Sequence, residues 1–134
     1  MLLVADIGNT NTDLGLFDGD RLLGRTQVRT RDAVEPGTLA AVAGRLVASR
    51  QRPGPVRAGA VASVVADRAQ AAAAALAPLC ERGCDCADAS WDLGIAVDYD
   101  NPQAVGIDRL LAAAAAYALE AGRGGAVVAD AGTA

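Results

Sequence analysis

Two stretches of the chain place an Asp, a Gly and a Thr in the same short order after an apolar run. The first is Val4-Ala5-Asp6-Ile7-Gly8-Asn9-Thr10, and the second is Val128-Ala129-Asp130-Ala131-Gly132-Thr133-Ala134. In each, an apolar segment delivers one Asp, then a spacer, then Gly and Thr within two positions. Phosphate binding calls for this combination. Gly lets the backbone approach phosphate oxygens, turn N–H groups and a Thr hydroxyl donate hydrogen bonds, and an Asp holds a cation that offsets the phosphate charge. One copy alone reads as an ordinary turn. Two copies, each closing an apolar strand, point to a nucleotide site.

Composition narrows the chemistry further. The 134 residues include 12 basic side chains, all Arg, against 16 acidic ones, for a net charge of −4. With no Lys, there is no Gly-Lys-Ser or Gly-Lys-Thr and so no P-loop. No Gly-x-Gly-x-x-Gly follows the first apolar run, which excludes the Rossmann fingerprint. The absence of His removes histidine-based triads, His-ligated zinc and a histidine general base. An acidic balance argues against nucleic acid as the partner, and 3% aromatic residues leave little for base stacking. Cys80, Cys84 and Cys86 read as reduced thiols, because no second pair or His completes a zinc tetrahedron.

The Ala-rich stretches Ala71–Ala77 and Leu110–Leu119 fall far short of the roughly 20 apolar residues of a spanning helix. The first residues lack the basic region and cleavage pattern of a signal peptide. A cytoplasmic protein without a membrane partner is expected.

The elements that must position these groups follow from periodicity. Leu2–Ile7 is a continuous apolar run, and Gly8-Asn9-Thr10-Asn11 is a polar turn. Thr12–Phe17 alternates, Asp18-Gly19-Asp20 forms a hairpin turn, and Arg21–Thr30 returns as a third strand. This is an antiparallel meander with Asp6 at the carboxyl end of its first strand. Helical spacing then appears at Leu39, Val42, Leu46 and Val47, and Arg52-Pro53-Gly54-Pro55 stops that helix. Ala58–Val65 reads as a buried strand, Asp67–Leu79 as a helix, Cys84–Ala87 as a short strand and Ala89–Asp100 as a loop. Asn101-Pro102 predicts a helix start, with Gly106 as a break near its beginning and an end near Ala121. Gly122, Gly124 and Gly125 close that helix. Ala126–Asp130 reads as one more strand.

Taken in order, Asp6-Ile7-Gly8-Asn9-Thr10-Asn11-Thr12, Ala62-Ser63-Val64-Val65, Asn101-Pro102 through Val105-Gly106-Ile107-Asp108-Arg109, and Asp130-Ala131-Gly132-Thr133-Ala134 resemble type III pantothenate kinase. That family belongs to the acetate and sugar kinase, Hsp70 and actin superfamily. Asn9 is part of the resemblance, since sugar kinases of the superfamily usually have Gly at that place. The resemblance implies an α/β fold: a ribonuclease-H-like lobe whose mixed sheet starts with an antiparallel β-meander and is flanked by helices. It implies a lobe over residues 1–121, with residues 122–134 supplying the first strand and second phosphate loop of another lobe.

The same resemblance implies ATP-dependent phosphorylation of pantothenate to 4'-phosphopantothenate, the first step of coenzyme A biosynthesis. Asp6, Ile7, Gly8, Asn9, Thr10, Asn11, Thr12 and Asp13 would form the first phosphate motif, with Asp6 near Mg2+. Thr133 would contact ATP, and Asp130 would help hold a monovalent cation, K+ or NH4+. Tyr99, Gly106, Ile107, Asp108 and Arg109 would contact pantothenate, with Asp108 as the proton acceptor. In a chain without His, a carboxylate suits that role. An Asp–Arg pair on the first turn of a helix is otherwise a common surface feature. Trp91 reads as a packing residue, and Leu110, Leu111, Ala114 and Ala118 as core or as the contact of a homodimer.

Family members continue for about another domain beyond the second motif, on the order of 100 residues. The 134 residues are therefore expected to have little or no kinase activity by themselves. The alternative is a non-catalytic nucleotide-binding regulator similar to Bvg accessory factor homologues.

Overall fold

The computed structural model describes residues 1–35, 37–50, 53–101, 104–120 and 125–129. Alternation builds its first three strands. β1 (Leu2–Ile7) buries Leu3, Ala5 and Ile7 and turns Asp6 outward, while β2 (Asn11–Asp18) buries Thr12, Leu14 and Leu16. The two-residue turn to β3 (Arg21–Arg29) needs a left-handed residue, and Gly19 supplies it at φ 58°.

Five strands form one sheet in the order β3-β2-β1-β4-β5. β1 and β2 pair antiparallel, as do β2 and β3. β4 (Ala58–Ser63) runs parallel to β1, and β5 (Cys84–Cys86) runs parallel to β4. The sheet is thus mixed and opens with the expected meander. Ile7 is in register with both Thr12 and Ser63, and Thr12 with Val28, so the ends of β1, β3 and β4 and the start of β2 share one edge.

The short helix α1 (Thr30–Ala33) leads to α2 (Thr38–Ala48), which buries Leu39, Ala43 and Leu46 along one stripe. α3 (Ala66–Leu76) buries Ala69, Ala72, Ala73 and Leu76, again at helical spacing. These side chains join Leu3, Leu14, Leu16 and Val61 in a single core. Each fully buried Leu contributes roughly 1.5–3 kcal/mol through removal of apolar surface from water.

Local chemistry moves several boundaries. β4 stops at Ser63 rather than Val65, because the Ser63 hydroxyl accepts the Val65 N–H at 3.1 Å and turns the chain. The helix expected to reach Leu79 ends at Leu76 and tightens into a 3-10 turn, Ala77–Leu79, at Pro78.

Residues Met1–Ala87 form one compact unit and Asp88–Ala134 a second. In the second unit, α4 (Ile107–Glu120) starts after Gly106 and not at Asn101. The Gly106 carbonyl accepts from both Arg109 N (3.1 Å) and Leu110 N (3.2 Å), so the break at Gly106 sets the helix start. Residues 125–129 carry no strand, against the expectation for Ala126–Asp130. An apolar run becomes a strand only with a ladder partner, and Val127 stands 98% exposed. Residues 121–124 and 130–134 lie outside the described residues, and with them the glycines Gly122 and Gly124. Among the described residues no helix is long and apolar enough to cross a membrane.

Candidate functional site

The turn between β1 and β2, residues 8–11, is held by hydrogen bonds that consume its carbonyl oxygens. Gly8 N–H donates to Asn11 O at 3.0 Å. The Ser63 hydroxyl donates to Ile7 O at 3.3 Å, tying β4 to the loop entrance. Thr30 binds the loop twice, through its N–H to Thr10 O at 2.8 Å and through its hydroxyl to Gly8 O at 2.8 Å. With the carbonyls of Ile7, Gly8, Thr10 and Asn11 engaged, the groups repelling an anion are turned away, the arrangement that a phosphate-binding turn needs. A Cβ at Gly8 would meet Asn11 O at 3.1 Å, so the tight turn favours glycine there.

Asp6 lies exposed immediately before the loop, directly opposite Asp13 across the β1–β2 ladder. Asp13 is committed to β3. Its Oδ1 accepts from Arg25 Nη2 at 2.7 Å and Nε at 3.0 Å, and its Oδ2 accepts from Gln27 Nε2 at 2.9 Å. Asp13 therefore braces the polar face beside the loop, and the exposed Asp6 stands at the strand end.

Asn9, Thr10 and Asn11 line one side of an open cleft of about 570 Å³ whose other lining residues are Arg29 and Arg31. Sequence reasoning did not single out these two arginines or the anchoring hydroxyl of Thr30, and it met Ser63 only within the Ala62–Val65 stretch of the resemblance. Their signal was present in weak form. Arg25, Gln27 and Arg29 recur at every second position along β3 and mark its polar face.

In the second unit, Asp108 stands on the first turn of α4, between buried Ile107 and exposed Arg109. Its Oδ1 is buried and has no hydrogen-bond partner among the described residues. A buried carboxylate oxygen without a partner is costly to the fold. Gly106 is half-buried at the helix start, and Tyr99 is 62% exposed in the preceding loop. Asp130 and Thr133 lie outside the described residues.

Among the described residues no group of three or more His, Cys, Asp or Glu is placed to hold a metal ion. The exposed Asp6 fits Mg2+, which takes one or two protein carboxylates and fills its remaining positions with phosphate oxygens and water. The three thiols stand elsewhere, packed against the core from Cys80 and from β5. Burial pushes the Cys80 thiol up, and burial followed by the charges of Cys80, Cys86 and Asp85 pushes Cys84 to about 11. Such thiols are protonated and unreactive at neutral pH.

A family model for type III pantothenate kinase matches residues 2–134. The chain is similar to the type III pantothenate kinase of Thermus thermophilus, at 35% identity over 134 residues, covering 100% of the chain and 52% of that protein. It is 36% identical over 136 residues to the protein of the same name from Acidothermus cellulolyticus, covering 99% of the chain and 52% of the relative. With the type III pantothenate kinase of Desulfatibacillum aliphaticivorans it shares 34% identity over 118 residues, 87% of the chain and 46% of the relative. The chain thus spans about half the length of the curated relatives it matches.

Proposed function

The chain belongs to the type III pantothenate kinase family, and on that premise we propose that it serves the ATP-dependent phosphorylation of pantothenate to 4'-phosphopantothenate. That reaction opens coenzyme A biosynthesis. The observation that carries the reading is the family match over residues 2–134, which spans both phosphate motifs and the Asp108 segment.

The turn 8–11, with Thr10 and Asn11 in it and Asp6 just before it, receives the phosphates of ATP. Mg2+ beside Asp6 would neutralise charge on the phosphates. Asp130 contributes to the site of a monovalent cation, K+ or NH4+, and Thr133 contacts ATP. Gly106, Ile107 and Arg109 hold pantothenate together with Tyr99, and Arg109 supplies a guanidinium suited to its carboxylate.

Phosphoryl transfer asks the protein chiefly for position and charge. The attacking group is the primary hydroxyl of pantothenate, and its proton must leave as the new O–P bond forms. Asp108 accepts it. The buried, partnerless Oδ1 supports that role, because a substrate hydroxyl would satisfy an atom that nothing else among the described residues satisfies. The homodimer of the expected kinase belongs to the same proposal.

Residues 1–121 form the first lobe in this reading, and residues 122–134 begin the second. The 134 residues alone give little or no turnover, because half of the relatives' length contributes the rest of the two substrate pockets. A coupled assay of pantothenate phosphorylation with ATP, Mg2+ and K+ tests the reading. A chain continued to the relatives' length should turn over and the 134 residues should not. Robust turnover by the 134 residues would overturn the two-lobe requirement, and none by the longer chain would overturn the kinase reading.

A further inference from the structure

Phosphate sites in proteins usually include a lysine or arginine, and this chain has no Lys anywhere. The cleft beside the turn 8–11 answers the shortage from an unexpected place. Arg29 is the last residue of β3, in register with Asn11 of the loop, and Arg31 follows two positions later. Both are exposed and line the cleft together with Asn9, Thr10 and Asn11.

The residue between them is immobilised. Thr30 is only 2% exposed and is bonded to Thr10 O through its N–H and to Gly8 O through its hydroxyl, each at 2.8 Å. These two bonds tie the backbone between the two arginines to the loop. Carboxylates nearby do not saturate them. Asp13 is bound to Arg25 and Gln27, and Arg29 has no ion-pair partner among the described residues. Arg31 meets Asp32 through one nitrogen at 3.4 Å, with both side chains exposed, a weak pair that a polyanion would outcompete.

We propose that Arg29 and Arg31 are phosphate ligands of this site, gripping a nucleotide polyphosphate beside Asn9–Asn11, with Thr30 locking their segment to the loop. The proposal rests on the reading of residues 8–11 as a nucleotide-phosphate loop. It adds two binding residues outside the loop and a reason for their placement. Arginine forks donate paired N–H groups, so two of them can engage neighbouring phosphoryl oxygens of one chain.

The test is calorimetric titration of the 134-residue chain with inorganic tripolyphosphate and, separately, with ATP and Mg2+. Arg29→Gln/Arg31→Gln is compared with a charge-matched control, Arg45→Gln/Arg82→Gln, whose side chains are exposed and line no part of the cleft. Loss of charge-assisted hydrogen bonds predicts at least about a tenfold weaker affinity for both probes in the first pair and less than about a threefold change in the control. Arg29→Lys/Arg31→Lys should fall between. Equal weakening in the two double variants would reduce the effect to general electrostatics and overturn the proposal, while the loop reading would stand. Wild type that binds neither probe would overturn the proposal, while the loop reading is tested separately by turnover of the longer chain. Should the Gln variants lose their thermal transition, side-chain Nε–Hε signals of the wild type decide instead. Those of Arg29 and Arg31 should shift with tripolyphosphate while that of Arg45 stays; unmoved Arg29 and Arg31 signals would refute the assignment.

Discussion

The hydroxyls of Thr12 and Thr30 meet at 3.1 Å inside the core, on residues 0% and 2% exposed. Thr30 has one hydroxyl proton and directs it to the Gly8 carbonyl. Thr12 must therefore be the donor to Thr30. A directed chain of hydrogen bonds runs from β2 through the β3–α1 junction into the turn that follows β1. The shape of the candidate phosphate loop is thus set from inside the core, by two side chains that never reach solvent.

Removing the Thr30 hydroxyl strands the buried Thr12 hydroxyl and the carbonyl of half-buried Gly8. Thr30→Val should cost about 2–4 kcal/mol in urea unfolding, since each unsatisfied buried group carries about 1–3 kcal/mol. Thr30→Ser keeps the hydroxyl, loses one methyl and should cost about 1 kcal/mol. Amide hydrogen exchange separates a local clamp from general destabilisation. Exchange should accelerate at Gly8–Asn11 in Thr30→Val more than at β4 residues, and the Ser variant should restore it. Uniform acceleration would argue against the clamp.

Gly59 makes room for sulfur. A Cβ there would meet Cys84 Sγ at 2.6 Å, Cys80 Sγ at 3.1 Å and the Cys84 Cβ at 3.1 Å, within a strand flanked on both sides. Gly59→Ala should therefore destabilise by about 1–3 kcal/mol, despite alanine's lower unfolded-state entropy. Cys84→Ala removes the worst clash but leaves Cys80 in place. The double variant should be more stable than the sum of the two single effects implies, by about 1 kcal/mol. Additive losses in urea midpoints would show that β5 moves aside freely.

Much of this arrangement was legible from residue order. The meander follows from the alternation through Leu3, Ala5 and Ile7 and from Asp18-Gly19, all local signals. So do Gly8–Asn11 as a strand-end turn and Asp108 near a helix start. Errors arose where two local signals competed or where a partner was needed. Asn101-Pro102 reads as a helix start, yet the Gly106 carbonyl takes that place. Val127 and Val128 are apolar, yet no ladder forms at residues 125–129. Thr30, Arg29 and Arg31 belong to the loop only because Asn11 faces Arg29 in the β2–β3 register. Their separation from the loop along the chain hides that relation from any periodicity.

The Cys84 thiol gives stability a pH dependence at the alkaline end. Burial first, then the neighbouring charges of Cys80, Cys86 and Asp85, raise its pKa from 9.0 to about 11. An acid whose folded pKa lies above its unfolded value favours the fold while protonated. Its contribution is complete below pH 9 and is lost as the pH rises through about 11. The stability difference between wild type and Cys84→Ala should be flat from pH 7 to about 9 and shrink above it. Urea midpoints of both proteins at matched pH values measure this, since tyrosine titration is common to the two. A difference independent of pH would mean that Cys84 ionises as it does in the unfolded chain.

Asp108 offers a test in which stability and activity move apart. A side chain held for structure loses hydrogen bonds when altered, and its replacement lowers the melting temperature. Asp108 instead carries a buried Oδ1 with no partner among the described residues, so the fold gains little from the carboxylate there. Its negative charge in the first turn of α4 is worth about 0.3–1 kcal/mol against the helix dipole. Asp108→Asn removes that charge but also a buried anion, and the two effects oppose each other. The 134-residue chain should keep its urea midpoint to within about 1 kcal/mol of stability. In a chain continued to the relatives' length, the same substitution should lower kcat by about 10²–10⁴-fold and leave ATP affinity within about threefold, the signature of a lost proton acceptor. Unchanged kcat would remove Asp108 from the chemistry. A large stability loss would instead make it a structural residue.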